Sequence, residues 1–312
     1  MQTDRISIGV DMGGTSIKFA VVQGTSIVHK AEPLQTGEFS SPEEIIEAIG
    51  QRLRGVLAAY PAACAVGMGL PGFVDHEAGM VDSLTNVPGW YDVPIRRILQ
   101  ELTGLPASVD NDANCMAYAE WKLGSGQGMK DLVCLTLGTG VGSGIIVDGH
   151  MLRGHLGAAG ELGQMSIDAY GRIGYYGNRG ALEDYIGNRE IAAEAQTRYA
   201  AAGAEKTLEE CNPYALELAA KAGCPVAQKL WDDIARLLAT ALMNCHYILN
   251  PQAFVIGGGV AKAGELLFKP LRSYLKCQLY GPHFAKLQVL PAHFGGEAGI
   301  IGAARQALDE IS

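Results

Sequence analysis

A two-lobed α/β fold is the architecture this chain predicts, and three observations predict it. Its 312 residues exceed what one hydrophobic core ordinarily serves and suit two domains of usual size. Apolar runs of strand length alternate with stretches that keep helical spacing, the pattern of a mixed fold. The layout strand, glycine turn, strand also occurs twice, around Met12-Gly13-Gly14-Thr15 and around Gly138-Thr139-Gly140-Val141-Gly142-Ser143. Each lobe is therefore expected to begin with its own glycine-turn hairpin.

From Arg5 to Lys30 two hairpins should follow each other. Ser41 is placed to cap a helix starting at Pro42, with Glu44 completing a capping box and Ile45, Ile49, Leu53, Val56 and Tyr60 in helical register. That helix should stop at Pro61. Cys64 to Pro71 reads as a strand, Ser83 to Trp90 as loop, Pro94 to Thr103 as a short helix closed by Gly104, Leu105 to Val109 as a strand and Ala113 to Leu123 as a helix. Beyond the second glycine turn, Gly154 to Tyr176 is glycine-rich loop with a strand near Gln164 to Ile167. Ala181 to Ala202 and Pro213 to Ala222 read as helices. Pro225 to Leu249 has the strongest helical pattern, with Val226, Leu230, Ile234, Leu237, Ala241, Cys245 and Ile248 on one face. Ala253 to Ile256 is a buried strand running into Gly257-Gly258-Gly259; Leu266 to Cys277, Leu287 to Leu290 and Ala298 to Ile311 then give helix, strand and helix. Residues 1–112 are expected to form a smaller N-terminal lobe, completed by the C-terminal helix 298–312, and residues 113–297 a larger C-terminal lobe.

Charged residues make up 18% of the chain and the net charge is −9. A phosphate-backbone partner needs clustered Lys and Arg, so no nucleic-acid partner is expected. The seven cysteines are widely spaced with no CxxC pair, which suits reduced thiols in a cytoplasmic protein. The first strand is expected to begin near Arg5, and no leader is expected before it. No stretch reaches the roughly 18 uninterrupted apolar residues of a membrane span, so no membrane association is expected.

The chemistry concentrates in a few polar and glycine-rich stretches. In Asp11-Met12-Gly13-Gly14-Thr15 the glycines let backbone amides approach an anion, the Thr15 hydroxyl offers a donor, and Asp11 at the strand end suits Mg²⁺ held through water. The loop lacks GK[ST] and leads into a strand, which sets it apart from a Walker loop; a plain hairpin turn is the competing reading. Gly138-Thr139-Gly140 repeats this layout, and two such loops could grip a nucleotide's phosphates. Gly257-Gly258-Gly259 would let a flat adenine or ribose lie near the backbone; a turn leading into a helix is the competing reading. Asp110, Asp112 and Asn114 begin like a calcium loop, but Cys115 stands where the loop needs glycine and Trp121 where it needs Glu. Asp112, at a strand end opening a helix, suits a general base; the alternative is that it caps the helix.

Together these pieces resemble the ROK family of sugar kinases, within the actin-like ATPase superfamily, over nearly the whole chain. Asp11-Met12-Gly13-Gly14-Thr15 with Lys18 is similar to the family's first phosphate loop, and Asn86-Val87-Pro88-Gly89-Trp90 to the sugar loop of its glucokinases. Asn111-Asp112-Ala113-Asn114 with Glu120 resembles the catalytic segment. Leu137 to Gly144 with Gly154 to Gly163 resembles the family signature, and Gly257-Gly258-Gly259-Val260 the adenosine-side loop. The resemblance implies an actin-like, ribonuclease H-like fold with the active site in the interlobe cleft, and transfer of the γ-phosphoryl of Mg·ATP to the 6-hydroxyl of a hexose, glucose first. It implies Asp112 as base, with sugar hydroxyls bound by Asn86, Asn111, Asp112, Glu161, Gln164 and Glu183. ATP would be bound by Asp11, Gly13, Gly14, Thr15, Lys18, Gly138, Thr139, Gly140, Gly257, Gly258 and Gly259. A cytoplasmic homodimer follows from the same resemblance.

One departure stands out. Zinc-containing relatives end the signature in GELGH and continue CxCGxxGCLE; here Gln164, Gly174, Tyr176 and Ala181 replace the histidine and the three cysteines. With no thiolate or imidazole in the set, no structural zinc is expected. The flanking Gly177, Gly180, Leu182 and Glu183 are kept, and Tyr175, Tyr176 and Arg179 are candidates to hold the loop by packing. N-acetylmannosamine, fructose and allose kinases remain alternatives, as does a polyphosphate-using glucokinase. A sugar-responsive ROK regulator is the alternative of another class; the early first strand leaves no room for its helix-turn-helix.

Overall fold

The structure is a computed structural model that describes residues 5–84 and 89–311. Strands β1 (Ile6–Met12), β2 (Ser16–Gln23) and β3 (Ser26–Gln35) form the two successive hairpins. The second turns through Gly24, whose φ of 60° is costly for a side-chain-bearing residue. Helix α1 (Pro42–Ala59) starts as its sequence dictates: Ser41 Oγ accepts from the Glu44 amide at 3.3 Å, and Pro42 sits in the first turn. The Glu44 carboxylate reaches back one residue further than a capping box requires, accepting from Ser40 N at 2.7 Å. Strand β4 (Ala63–Leu70) follows, then β5 (Val74–Asp75), β6 (Met80–Ser83) and β7 (Tyr91–Val93), which make a small antiparallel sheet of their own. Helix α2 (Ile95–Thr103) ends at Gly104 in the left-handed region, as glycine there allows. Strand β8 (Ala107–Asn111) delivers the chain into helix α3 (Asp112–Lys122).

Strands β9 (Leu132–Leu137) and β10 (Val141–Val147) form the second glycine-turn hairpin, followed by the short β11 (His150–Met151). After a long irregular stretch come α4 (Glu183–Ile186), α5 (Asn188–Ala201) and α6 (Pro213–Lys221). Helix α7 (Pro225–Leu249) covers the span its pattern predicts, from Pro225 in the first turn to Asn250 in the left-handed region. Strand β12 (Ala253–Gly257), helices α8 (Glu265–Gln278) and α9 (Gly281–Phe284), strand β13 (Gln288–Pro291) and helix α10 (Ala298–Glu310) complete the chain.

The repeated hairpin extends to a repeated sheet. One five-stranded sheet runs β3-β2-β1-β4-β8 and the other β11-β10-β9-β12-β13. In each, the first strand of the glycine-turn hairpin is central, antiparallel to its hairpin partner and parallel to the strand on its other side. A further parallel strand lies beyond. Two expected elements differ. The helix read over 181–202 breaks at Gly187, whose extended ψ of 152° separates α4 from α5. The strand near Gln164 to Ile167 is instead a 3-10 turn over Leu162–Gln164 followed by a single bridge from Ser166 to Ala181.

The chain divides into two compact units, the first comprising Met1–Gly128, Met151–Ala159 and Glu297–Ser312, the second Met129–His150 and Gly160–Gly296. The division thus falls beyond α3 rather than at residue 112, and the reason is packing. Gly302 of α10 lies so close to the backbone carbonyl of Cys115 that a Cβ would overlap it. Each unit has its own core: Ile8, Val10, Phe19, Ile45, Leu53, Met68 and Trp90 in the first, Leu135, Trp231, Ile234, Leu238, Phe254 and Leu271 in the second.

A buried polar knot joins the three segments of the first unit. Asp110, 1% exposed, accepts from Arg153 Nε and Nη2 at 3.0 and 2.7 Å, from Gln306 Nε2 at 3.0 Å and from Asn114 Nδ2 at 2.9 Å. Two stability measurements check this account. Gly302→Ala is expected to cost about 1–3 kcal/mol, read as a lowered thermal midpoint, because two backbones must separate. Asp110→Ala is expected to cost about 3–5 kcal/mol by stranding the Arg153 guanidinium, with Asp110→Leu/Arg153→Met recovering part of it in denaturant titrations.

Candidate active site

In parallel sheets, ligands gather beyond the carboxyl ends of the strands, and both sheets place candidate residues there. In the first unit the register sets Asp11 of β1 beside Gly69 of β4, and Gly69 beside Asp110 of β8. Three neighbouring strand ends therefore deliver Asp11, the segment after Leu70, and Asn111-Asp112. Glycine at 69 has a steric reason, since a Cβ would crowd Cys115 Sγ at 3.2 Å and the Asp112 Cα at 3.5 Å.

Asn111, not Asp112, is the helix cap. Its Oδ1 accepts from the amides of Ala113 at 2.9 Å and Asn114 at 3.3 Å, while its Nδ2 donates to the Gly72 carbonyl at 3.0 Å. Both residue types cap well, and the extended backbone of Asn111 decides between them. Asp112 is then the first helical residue, half-buried, with Oδ1 accepting from the Ala113 amide at 2.8 Å. Beneath it the Cys115 thiol is held well above its ordinary value, first by burial and then by the carboxylates of Asp110, Asp112 and Asp11. Cys115 is thus an inert neighbour to the convergent acids. The calcium alternative fails on geometry: Asp110 is turned into the knot and Asn114 donates to it, so neither faces a common ion with Asp112.

The β1–β2 turn is held from below by Thr36, a buried residue that the sequence did not point to. Its amide donates to the Thr15 carbonyl at 3.0 Å and its hydroxyl to the Gly14 carbonyl at 2.9 Å. With their carbonyls taken up inside, Gly14 and Thr15 stay exposed, and Gly13 is closed by its amide on Ser16 O at 2.9 Å. Lys18, opposite Asp11 in register, pairs with it at 3.3 Å. Asn86 lies outside the described residues.

The second unit gathers the remaining candidates. Gly138 N donates to Gly140 O at 2.9 Å, closing the β9–β10 turn with Thr139 exposed. Gly258, at φ 88°, lies against the backbone of Leu137 so closely that no side chain would fit. This brings the Gly257–Gly259 stretch beside the start of the Gly138 turn; Gly259 faces open space and leads into a 3-10 turn. Glu183 ties these parts together, with Oε2 accepting from the Val141 amide at 2.7 Å and Oε1 from Gln164 Nε2 at 3.2 Å. Glu161 reaches solvent nearby, its carboxyl pushed up by desolvation and then by the charge of Glu183. Ser143 donates to the Gly160 carbonyl and so fixes the turn that presents Glu161.

The stretch carrying Gln164, Gly174, Tyr176 and Ala181 is held by hydrogen bonds. Asn178 Nδ2 donates to Gln164 O at 2.8 Å, Gly180 N to Arg172 O at 2.7 Å and Ile167 N to Gly180 O at 2.8 Å. Tyr175 and Tyr176 do not pack to hold it; they are 78% and 63% exposed. Backbone hydrogen bonds fix this loop together with those of Asn178 and of Arg179, whose Nη1 donates to the Gly171 carbonyl at 3.3 Å, and Gln164, Gly174, Tyr176 and Ala181 offer no donor set that suits zinc.

Comparison with known proteins agrees with this layout. The ROK family profile matches residues 7–310. The glucokinase of Halalkalibacterium halodurans is 35% identical over 96% of this chain and 94% of its own length. That of Streptomyces coelicolor is 33% identical over 96% of each. Among solved structures, a ROK family glucokinase from Streptomyces griseus in complex with glucose and AMPPNP superposes with a TM-score of 0.82 at 32% identity, covering 97% of this chain and 99% of that one. The doubled sheet is the two-lobed actin-like ATPase fold, and the chain belongs to the ROK family.

Proposed function

We infer that the chain is an ATP-dependent hexose kinase whose first substrate is glucose. The observation that supports this most is Asp112: a half-buried carboxylate at the carboxyl end of β8, fixed by the first turn of α3, with only β4 between its strand and the strand that ends in Asp11. Asp112 takes the proton of the sugar 6-hydroxyl as that oxygen bonds to the γ-phosphorus. The bond from phosphorus to the bridging oxygen breaks, and ADP leaves with the electron pair. The exposed turns at Gly13-Gly14-Thr15 and Gly138-Thr139-Gly140 hold phosphates through their amides and hydroxyls, with Lys18 adding charge. Gly257, Gly258 and Gly259 admit the adenosine. Asn86, Asn111, Glu161, Gln164 and Glu183 take sugar hydroxyls.

Asp11 fits a hydrated Mg²⁺, being a carboxylate 16% exposed at a strand end beside the phosphate turn; the ion would neutralise phosphate charge. A homodimer in the cytoplasm accords with the family resemblance. Among the described residues no disulfide forms and no helix is long and apolar enough to cross a membrane.

Asp112→Asn is expected to lower kcat by about 10²–10⁴ while leaving glucose binding nearly intact; turnover within a few-fold of the parent in an ADP-release assay would reject the base. Comparing glucose with mannose, fructose, allose and N-acetylmannosamine in the same assay checks the substrate. We further propose that the chain binds no structural zinc, on the chemistry at 164, 174, 176 and 181. Elemental analysis of untagged, washed protein is expected to find far less than one zinc per chain, and stoichiometric zinc would overturn this.

A further inference from the structure

The turn bearing Tyr175 and Tyr176 is built with more care than a surface loop needs. Gly174 N donates to Asn178 O at 2.8 Å and Gly177 N to Gly174 O at 3.0 Å, so the tyrosines occupy the two corners of a closed turn. That turn is anchored directly to a candidate sugar ligand, through Asn178 Nδ2 on the Gln164 carbonyl at 2.8 Å, and Gln164 in turn holds Glu183 at 3.2 Å. The two rings meet edge to face with centroids 5.0 Å apart. Each steadies the other while both remain largely uncovered. The Tyr176 phenol is nonetheless raised from its ordinary value, by desolvation first and then by the charges of Glu161, Tyr175 and Glu183. The turn also lies against the residue that follows Glu183, since a Cβ on Gly174 would meet Asp184 Oδ2.

A pyranose presents hydroxyls at its rim and C–H bonds on its faces. Carboxylates and amides serve the rim, and an aromatic ring serves a face. Glu161, Gln164 and Glu183 provide the first, and the tyrosine turn anchored on Gln164 provides the second. Resting on the hexose-kinase reading above, we propose that Tyr176, braced by Tyr175, is a specificity-determining residue whose ring covers one C–H face of the bound hexose. Such a platform favours the glucose configuration, in which the ring substituents from C2 to C5 are equatorial. An axial hydroxyl on the covered face would lose water against the ring and gain no partner, which penalises an epimer carrying one.

Steady-state kinetics of Tyr176→Ala and Tyr176→Phe with glucose, mannose and allose test this. Tyr176→Ala is expected to raise the glucose KM about three- to ten-fold, to leave kcat and the KM for ATP within about two-fold, and to narrow the preference for glucose over at least one epimer. Tyr176→Phe keeps the ring and is expected to behave like the parent. Because the side chain is exposed, the thermal midpoint should not move in either variant. An unchanged glucose KM and unchanged epimer ratio in Tyr176→Ala would overturn the assignment, as would a Tyr176→Phe variant as impaired as Tyr176→Ala. If the parent chain releases no ADP with any hexose, the underlying reading fails first and takes this one with it.

Discussion

Taking the Asp110 carboxylate out of water costs several kcal/mol, and the first unit is arranged so that this cost is offset. Arg153 supplies charge and two hydrogen bonds, Gln306 and Asn114 supply amides, and the Asn111 amide donates to Oδ1 at 2.8 Å. These donors come from the 151–159 segment, from α10, from α3 and from β8 itself. Satisfying one buried acid therefore fixes the relative placement of four chain segments. His76 and Ser108 extend the knot: His76 Nδ1 lies 2.7 Å from Val109 O and Ser108 donates to Glu310 at 2.6 Å. Asp112, two residues from the knot, takes its position from it and from the Ala113 amide that its own carboxylate accepts at 2.8 Å. That is the preorganisation a general base requires.

The second unit uses a carboxylate in the opposite sense. Glu183 stands half-buried at a helix start and spreads its two oxygens over the β9–β10 turn and Gln164. A residue assigned to the sugar thus also sets the backbone amide next to the phosphate turn. Loss of Glu183 would loosen both parts at once, so its removal reads as a compound defect rather than a missing sugar contact. Gly258 plays the steric counterpart, since its lack of a side chain allows the adenosine-side stretch to lie on Leu137.

What the sequence made legible is what local chemistry determines. The hairpins, the Ser41 cap, the helix Pro225 to Leu249 and the repeated glycine-turn layout all rest on residues a few positions apart, and each appears in the structure. The site stretches were legible as motifs, because glycine spacing and a strand-end acid survive reading in one dimension. Thr36, Arg153, Gln306 and Asn178 were not, since each acts on a partner distant in sequence or on a backbone atom that leaves no mark on composition. The cap at 111 against 112 failed for another reason: Asn and Asp serve equally, and only the extended backbone of Asn111 separates them. The break at Gly187 in the helix read over 181–202 left no signal, because one glycine in an apolar pattern is usually tolerated. The aromatic corner at Tyr175 and Tyr176 was read as packing, yet its rings face outward.

The return of α10 to the first sheet has a consequence for how the molecule comes into being. Gln306 reaches Asp110 across nearly two hundred residues of chain, so the knot stays open while a nascent polypeptide is still short of its last helix. Residues 129–296 contain the whole of the second unit and are synthesised before that helix. Synthesis from one end to the other therefore imposes an order in which the later part of the chain matures before the earlier. Loop closure over such a separation is slow and weakly rewarded until it is complete. During that interval Asp110 is a solvated acid on an unsealed sheet, and Asp112 has not yet acquired the fixed position that its proposed role needs.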